Sequence, residues 1–115
     1  MKHDQDMITQ PITIGEYVEI VAPVYTDNTD LHLETALASG VVEWHLIGVS
    51  GSEIISKTTA GSGGITVNSP SSGSITIEIH EEDTTGLSKG DYYHIAEFTI
   101  SGHTRGLFDG IARLK

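Results

Sequence analysis

The sequence predicts an all-β protein, a sandwich of seven to eight short antiparallel strands. Three observations carry this prediction. Apolar and polar residues alternate with a period of two in several short runs, of which Ile75, Ile77 and Ile79 form the clearest. Clusters of Gly, Ser, Asn and Asp separate these runs at intervals of about ten residues. No run has the apolar spacing of about 3.6 residues that a helical bundle needs.

Length and composition indicate one domain at residues 7–115, preceded by a flexible polar arm at residues 1–6. A domain of this size buries roughly two-thirds of the surface that its unfolded chain exposes. The hydrophobic fraction is a modest 37% and there are thirteen glycines, as expected for short strands joined by turns. The chain has no cysteine, so the sequence offers no disulfide and no reading of the redox compartment.

The formal net charge of −10 argues against direct nucleic-acid binding, because an acidic surface repels phosphate. It agrees either with simple solubility or with a basic partner surface. The N-terminus has no apolar signal-peptide region, and no run approaches the roughly 18 apolar residues that would span a membrane. We therefore expect no membrane contact, and a protein that stays in the cytoplasm unless it is exported within a larger assembly.

The N-terminal part of the chain is predicted to contain two strands. Residues 7–14 alternate only weakly, and Pro11 lacks a backbone N–H, so this run should be an edge strand or break in two. Gly15 is expected to mark a turn or bulge. Residues 16–25 alternate clearly and form the next predicted strand.

The stretch at residues 26–40 is the longest whose structure the pattern leaves open. Its first part is turn chemistry, and LHLETALASG fits either one helical turn ending at Gly40 or a short irregular strand. Length alone makes it the best candidate for a binding loop. The residues that we expect to contact a partner are Tyr25, Asp27, Asp30, His32 and Glu34.

A strand at residues 41–50 should place Trp44 on a buried face, with Glu43 and His45 on the opposite face. Turn residues 50–52 then make a hairpin with the following strand. Further strands are predicted at residues 53–59, 65–67, 75–79 and 103–114, the last interrupted by Gly106 and Gly110 as expected sites of bulges.

Residues 74–100 read as strand, corner and strand. Asp83 suits a short helical turn capped by its carboxylate, and Leu87 can close the bottom of the core. The spacing from Leu87 through Gly90 to Tyr92 is typical of a tyrosine corner in an immunoglobulin-like sandwich. The fold class expected is therefore an immunoglobulin-like sandwich, whose core includes Trp44, Ile77, Leu87, Tyr92, His94 and Phe98.

His94 is predicted to face inward, in the slot where antibody-type sandwiches carry the second cysteine of their disulfide. Trp44 stands on the corresponding tryptophan strand. A buried imidazole could act as a pH sensor or in catalysis. We favour a hydrogen-bonded structural histidine, because no nucleophile or convergent carboxylate pair can be assigned to it from the sequence.

The sequence shows no catalytic, cofactor or metal site above background. His80 is followed by three acids, but successive side chains at a strand end point in opposite directions and do not converge. Asp27, Asn28 and Asp30 lack the glycine and distal glutamate of an EF-hand. The serines lie outside any G-x-S-x-G elbow, and the glycines at residues 61–64 lack the lysine of a phosphate-binding loop. We expect no enzymatic activity and no cofactor.

The runs VVEWHLI, KTTAGSGGITV and SITIEIHEEDTTGLSKGDYYHIAEFTISGHTRGLFDG together resemble small immunoglobulin-like sandwiches of tailed-phage virions. Members of that family are stand-alone head or tail proteins, or N-terminal domains of baseplate upper proteins. The resemblance covers about residues 8–114 and is moderately specific. The matching positions are Trp44, Lys57-Thr58, Gly64-Ile65, the isoleucines at 75–79, Asp83-Thr84, Leu87, Gly90, Tyr92 and His94.

This resemblance implies a virion structural protein without catalytic residues, assembled in the host cytoplasm. Its expected partners are other virion proteins of the capsid, neck or tail, in a homo-oligomeric or symmetric arrangement on the particle. Within that class the sequence favours a capsid decoration or head–tail region protein. The alternative is an adhesion or carbohydrate-binding module at the tail or baseplate.

Overall fold

The computed structural model describes residues 11–25, 37–69 and 73–115. Seven strands lie in these ranges, together with a 3-10 turn at Leu37–Ser39 and one short helix, α1, at Glu81–Thr84. The strands are β1 at Val18–Pro23, β2 at Val41–Ile47, β3 at Glu53–Thr58, β4 at Ile65–Ser69, β5 at Ser74–Ile79, β6 at Gly90–Ile100 and β7 at His103–Leu114.

The strands form two antiparallel sheets. The three-stranded sheet has the order β1-β5-β4 and the four-stranded sheet the order β3-β2-β6-β7. With β1 taken as strand B, these are the B-E-D and C′-C-F-G orders of an immunoglobulin-like domain. The prediction of an all-β sandwich is confirmed, because the alternating runs pair side by side and bury one face each.

The core lies between the two sheets and draws on the inner face of both. Trp44, Phe98 and His94 from the four-stranded sheet are fully buried, as is Ile77 from the three-stranded sheet. Leu87 and Tyr92 pack against this cluster and are partly buried. The alternation of residues along β2, β5 and β6 therefore predicted the inward-facing set correctly.

The corner between β5 and β6 is closed by a tyrosine. The Tyr92 hydroxyl donates to the backbone carbonyl of Ser88 at 2.6 Å. This bond links the side chain of Tyr92 to the backbone four residues upstream, as in a tyrosine corner. The prediction from the leucine, glycine and tyrosine spacing is confirmed.

The helix at this corner begins earlier than the sequence predicted. We expected Asp83 to cap a turn that follows it, but α1 begins at Glu81 and Asp83 lies in its first turn. Its carboxylate reaches back to the N–H of His80 at 2.8 Å, the bond that an acidic residue makes at the third helical position. Neither this helix nor the 3-10 turn, within the described parts of the chain, is long and apolar enough to span a membrane.

The described N-terminal residues run along the edge of the four-stranded sheet. Ile12 pairs in parallel with Leu114, and the N–H of Ile14 donates to the carbonyl of Lys115 at 2.9 Å. Gly15 then turns the chain with a φ of 82°, as predicted. The polar arm at residues 1–6 and the first part of the predicted edge strand lie outside the described residues.

Two predicted bulges in β7 have different outcomes. The register of β6 and β7 shifts where Ala96 pairs with Phe108 and Glu97 with Gly106, so the bulge at Gly106 is confirmed. This shift explains why Leu107 and Phe108 are both buried although they are adjacent. The prediction of a bulge at Gly110 is wrong, because Gly110 pairs in register with His94.

Gly40 ends the 3-10 turn, which agrees with the helical alternative for the residues immediately before it. A Cβ at Gly40 would lie 2.5 Å from the carbonyl oxygen of Thr99 and 2.7 Å from the Phe98 ring. Only glycine therefore lets the chain enter β2 this close to β6.

Candidate functional site

Among the described residues, the outer face of the four-stranded sheet brings together a group of histidine and glutamate side chains that could hold a metal ion. Alternation along β2 turns Glu43 and His45 outward, while their neighbours fill the core. The register places Glu43 opposite Glu97 and His45 opposite Ile95 on β6. Side chains distant in sequence are thereby brought together by strand pairing alone.

A cluster of four side chains lies on this face: Glu43, His45, Glu53 and Glu97, hereafter the Glu-His cluster. One ligand atom each from Glu43, His45 and Glu97 lies within 4.8 Å of the others. Nε2 of His45 is 3.7 Å from a Glu43 oxygen. Imidazole nitrogen and carboxylate oxygen are both donors that divalent transition metals accept.

The fourth member of the cluster holds the imidazole from its other side. Nδ1 of His45 lies 3.0 Å from a carboxylate oxygen of Glu53, and the Ser56 hydroxyl is 3.3 Å from the same nitrogen. A proton on Nδ1 can therefore be donated to Glu53. That leaves the Nε2 lone pair on the side of Glu43.

An apolar row lies beside the Glu-His cluster on the same face. Tyr93 is 38% exposed and Ile111 is 50% exposed, and the two are directly opposite in the β6–β7 pairing. Ile47 lies opposite Tyr93 on the other side. The Tyr93 hydroxyl donates to the carboxylate of Asp109, and this bond with partial burial raises the pKa of Tyr93 to about 12.

Among the residues predicted to contact a partner, the structure describes only Tyr25. Asp27, Asp30, His32 and Glu34 lie outside the described residues. Tyr25 is half-buried, and its backbone carbonyl accepts a hydrogen bond from Arg105 Nη1 at 3.0 Å. The carbonyl of Tyr25 is thus held against β7, and its role in binding a partner stays a prediction.

His94 lies in the core and faces the one tryptophan of the chain. The Trp44 indole N–H donates to Nδ1 of His94 at 3.2 Å, and both side chains are fully buried. The ring of His94 also lies 6.1 Å from that of Phe108, centroid to centroid. An imidazole enclosed in this way links β2 to β6 inside the core.

Sequence reasoning missed an ion pair that joins β3 to the corner. The Lys57 ammonium, on a side chain facing inward, lies 2.6 Å from Asp83 Oδ2. Partial burial by itself raises the pKa of Asp83, but the hydrogen bonds from Lys57 and the His80 N–H, with the Lys57 charge, bring that pKa below its ordinary value. Lys57 and Asp83 are 26 residues apart in the sequence, so local pattern offered no partner for Lys57.

A second missed contact anchors the N-terminal turn. Thr84 is fully buried, and its hydroxyl oxygen accepts a hydrogen bond from the N–H of Gly15 at 2.9 Å. Residues 69 positions apart are joined, so local pattern alone could not have found the pair.

The run from His80 to Asp83, whose side chains the sequence predicts not to converge, has a different geometry from the Glu-His cluster. His80 lies 3.5 Å from Glu78, Asp83 turns inward to Lys57, and Glu81 and Glu82 are exposed. The Glu-His cluster was missed because its members come from three strands. The outward alternation of Glu43 and His45 was readable, but the register that adds Glu97 and Glu53 was not.

No protein-family model matches the chain, and no curated protein matches it in sequence.

Proposed function

We propose that the chain is a non-enzymatic structural protein of a tailed-phage virion, a capsid decoration or head–tail region protein that acts through protein–protein contacts. The proposal begins from the resemblance carried by the tryptophan strand and the tyrosine corner. It assigns the protein to the surface or the neck of the particle, where it adheres to neighbouring subunits.

The observation that carries the proposal is the outer face of the four-stranded sheet. Its exposed row of Tyr93 and Ile111 lies next to the carboxylates of the Glu-His cluster. Tyrosine beside aliphatic side chains, rimmed by polar groups, is a composition enriched in protein interfaces. The net charge of −10 favours a partner surface that is basic.

A carbohydrate-binding role would call for aromatic rings grouped on one surface. Among the described tyrosines, the two most exposed stand apart. Tyr17 precedes β1 of the three-stranded sheet and lies against the His80 ring at 5.3 Å, whereas Tyr93 is on β6 of the other sheet. The described residues thus favour a protein partner over a glycan.

Quantitative mass spectrometry of purified particles tests the proposal. A decoration protein should be present at on the order of hundreds of copies per particle, and a neck protein at about a dozen. Absence from particles of the phage that encodes the chain would overturn the proposal.

A matched pair of variants tests the surface. Tyr93→Asp with Ile111→Asp places charge in the apolar row, so incorporation should fall by about tenfold or more. Val49→Asp is the control, since Val49 is 98% exposed outside the row and should tolerate charge. Equal incorporation of both variants would remove the outer face from the interface.

A further inference from the structure

We propose that Glu43, His45 and Glu97 form a binding site for a divalent transition-metal ion, with Zn²⁺ as the ion that fits it best. The site lies on the outer face of the four-stranded sheet and stands independently of the proposed virion role. Glu53 acts as its positioning residue.

The first argument is geometric. Ligand atoms around a tetrahedral zinc lie about 3.3 Å apart, given metal–ligand bonds of about 2.0 to 2.1 Å. The three candidate atoms already lie within 4.8 Å of one another. Small rotations of the two glutamate side chains close the remaining gap without moving the strands, because β2 and β6 are fixed by continuous pairing.

The second argument is electrostatic. Glu43 and Glu97 are directly opposite across an antiparallel pair, an arrangement that is unfavourable for like charges. Glu53 adds a third carboxylate around the same imidazole. A divalent cation between the glutamates turns this repulsion into attraction.

The third argument is the orientation of the imidazole. Metal-binding histidines commonly donate their second ring N–H to a carboxylate, which fixes the tautomer and turns the other nitrogen toward the ion. Glu53 lies 3.0 Å from Nδ1 and can accept that proton, while Nε2 lies 3.7 Å from Glu43. The cluster therefore contains both the ligands and the group that aims one of them.

The donor set selects the class of ion. One imidazole with two carboxylates suits Zn²⁺ and its neighbours among the divalent transition metals, whereas Ca²⁺ prefers oxygen ligands alone. Three protein ligands leave a fourth position open. Because Glu43 is exposed and the others half-buried, that position faces solvent and can take water or a partner's side chain.

Isothermal titration of the full chain with ZnCl₂ at pH 8 tests the site. We expect about one ion per chain, with a measured heat that differs between buffers of different ionisation enthalpy if metal binding displaces a proton from a ligand. Backbone amide shifts in NMR spectra should change mainly in β2 and β6. Equal binding of Ca²⁺ would overturn the proposal, because the imidazole would then contribute nothing.

Single variants distinguish zinc binding at this site from zinc binding at other histidines of the chain. His45→Asn should weaken zinc binding at least about tenfold, and Glu53→Gln should weaken it by about tenfold through loss of the positioning bond. His103→Asn is the matched control, since His103 is exposed at the start of β7 and should leave affinity unchanged. Unchanged affinity in His45→Asn would overturn the proposal.

Glu97→Gln should change stability and zinc affinity in opposite directions, which a merely structural role of Glu97 would not do. Removing one of two opposed charges should raise the unfolding midpoint of the metal-free protein while it lowers zinc affinity. It also keeps the test valid if His45→Asn fails to fold. A Glu97→Gln variant that binds zinc as tightly as the wild type would contradict the site.

Discussion

The indole N–H of Trp44 donates to Nδ1 of His94 at 3.2 Å, linking β2 to β6 inside the core. In antibody domains a tryptophan packs at this place against a disulfide, whose second cysteine occupies the position that His94 holds here. An indole is only a donor, so Nδ1 must accept and a neutral imidazole carries its proton on Nε2. The histidine thus satisfies the buried polar atom of the tryptophan in a chain that has no cysteine.

A double-mutant cycle should detect this bond. Trp44→Phe removes the donor and leaves a buried acceptor, so it should cost about 2 kcal/mol or more in the free energy of unfolding. Combined with His94→Leu, the two changes should be non-additive by about 1 kcal/mol. Urea unfolding followed by circular dichroism measures all four species.

The control cycle pairs Trp44→Phe with His103→Leu. His103 is exposed at the start of β7, so the two free-energy changes should add. Additivity in the Trp44 and His94 cycle as well would show that the bond contributes no coupling.

Tyr92→Phe should lower the free energy of unfolding by about 1 kcal/mol, because the corner loses its hydrogen bond to the Ser88 carbonyl. Tyr93→Phe is the neighbouring control. It loses a bond to Asp109 on an exposed face and should change stability by less than about 0.5 kcal/mol. Equal losses of unfolding free energy in the two variants would mean that the corner hydrogen bond stabilises the fold no more than an exposed one.

Substituting Lys57 and substituting Asp83 should lower the free energy of unfolding by unequal amounts. Lys57 is 8% exposed, so Asp83→Asn leaves a buried ammonium without its counter-ion and should cost about 2 to 3 kcal/mol. Lys57→Met removes the buried charge itself, and the more exposed Asp83 can hydrate, so it should cost less. Chemical denaturation at pH 7 ranks the variants, and the reverse order would contradict this account.

Acid titration tests the same pair by its pH dependence. The folded-state pKa of Asp83 is lowered, so its contribution to stability is present above the ordinary carboxyl pKa and is lost as pH falls through the folded value. The stability gap between wild type and Asp83→Asn should therefore shrink below about pH 4.

Asp91 provides the matched control for this titration. The hydrogen bond from Arg113 lowers the pKa of Asp91 too, but both side chains are exposed. Asp91→Asn should change the acid dependence only slightly. A gap for Asp83→Asn that stays constant down to pH 2 would show that Asp83 does not titrate in this way.

Gly40→Ala should destabilise the fold by about 2 kcal/mol, since its Cβ would overlap the Thr99 carbonyl and the Phe98 ring. Gly86→Ala is the control, because a Cβ there meets nothing within 4 Å. Thermal unfolding of both proteins measures the difference. Equal midpoints would mean that β2 can shift away from β6 at no cost.

The inner faces of the strands could be read from the sequence because burial follows a period of two. Trp44, Ile77 and Phe98 face the core as their alternation predicted. The corner at Tyr92 was equally legible, since its spacing is local. Local pattern failed at Asp83, where two acids before it also suit a helix start.

Contacts between distant segments were decided by the tertiary structure alone. Glu97 joins Glu43 and His45 only through the register of β6 on β2, and one residue of slip would turn it to the other face. Lys57 meets Asp83 only because β3 packs near the corner.

The sequence by itself determined which side of each strand meets water, because that depends on neighbours one or two residues away. Which outward side chains become neighbours depends on strand order and register, which the packing of the whole core selects. The fold was therefore legible in the chain, whereas the Glu-His cluster exists only once β2, β3 and β6 have paired in register within the four-stranded sheet.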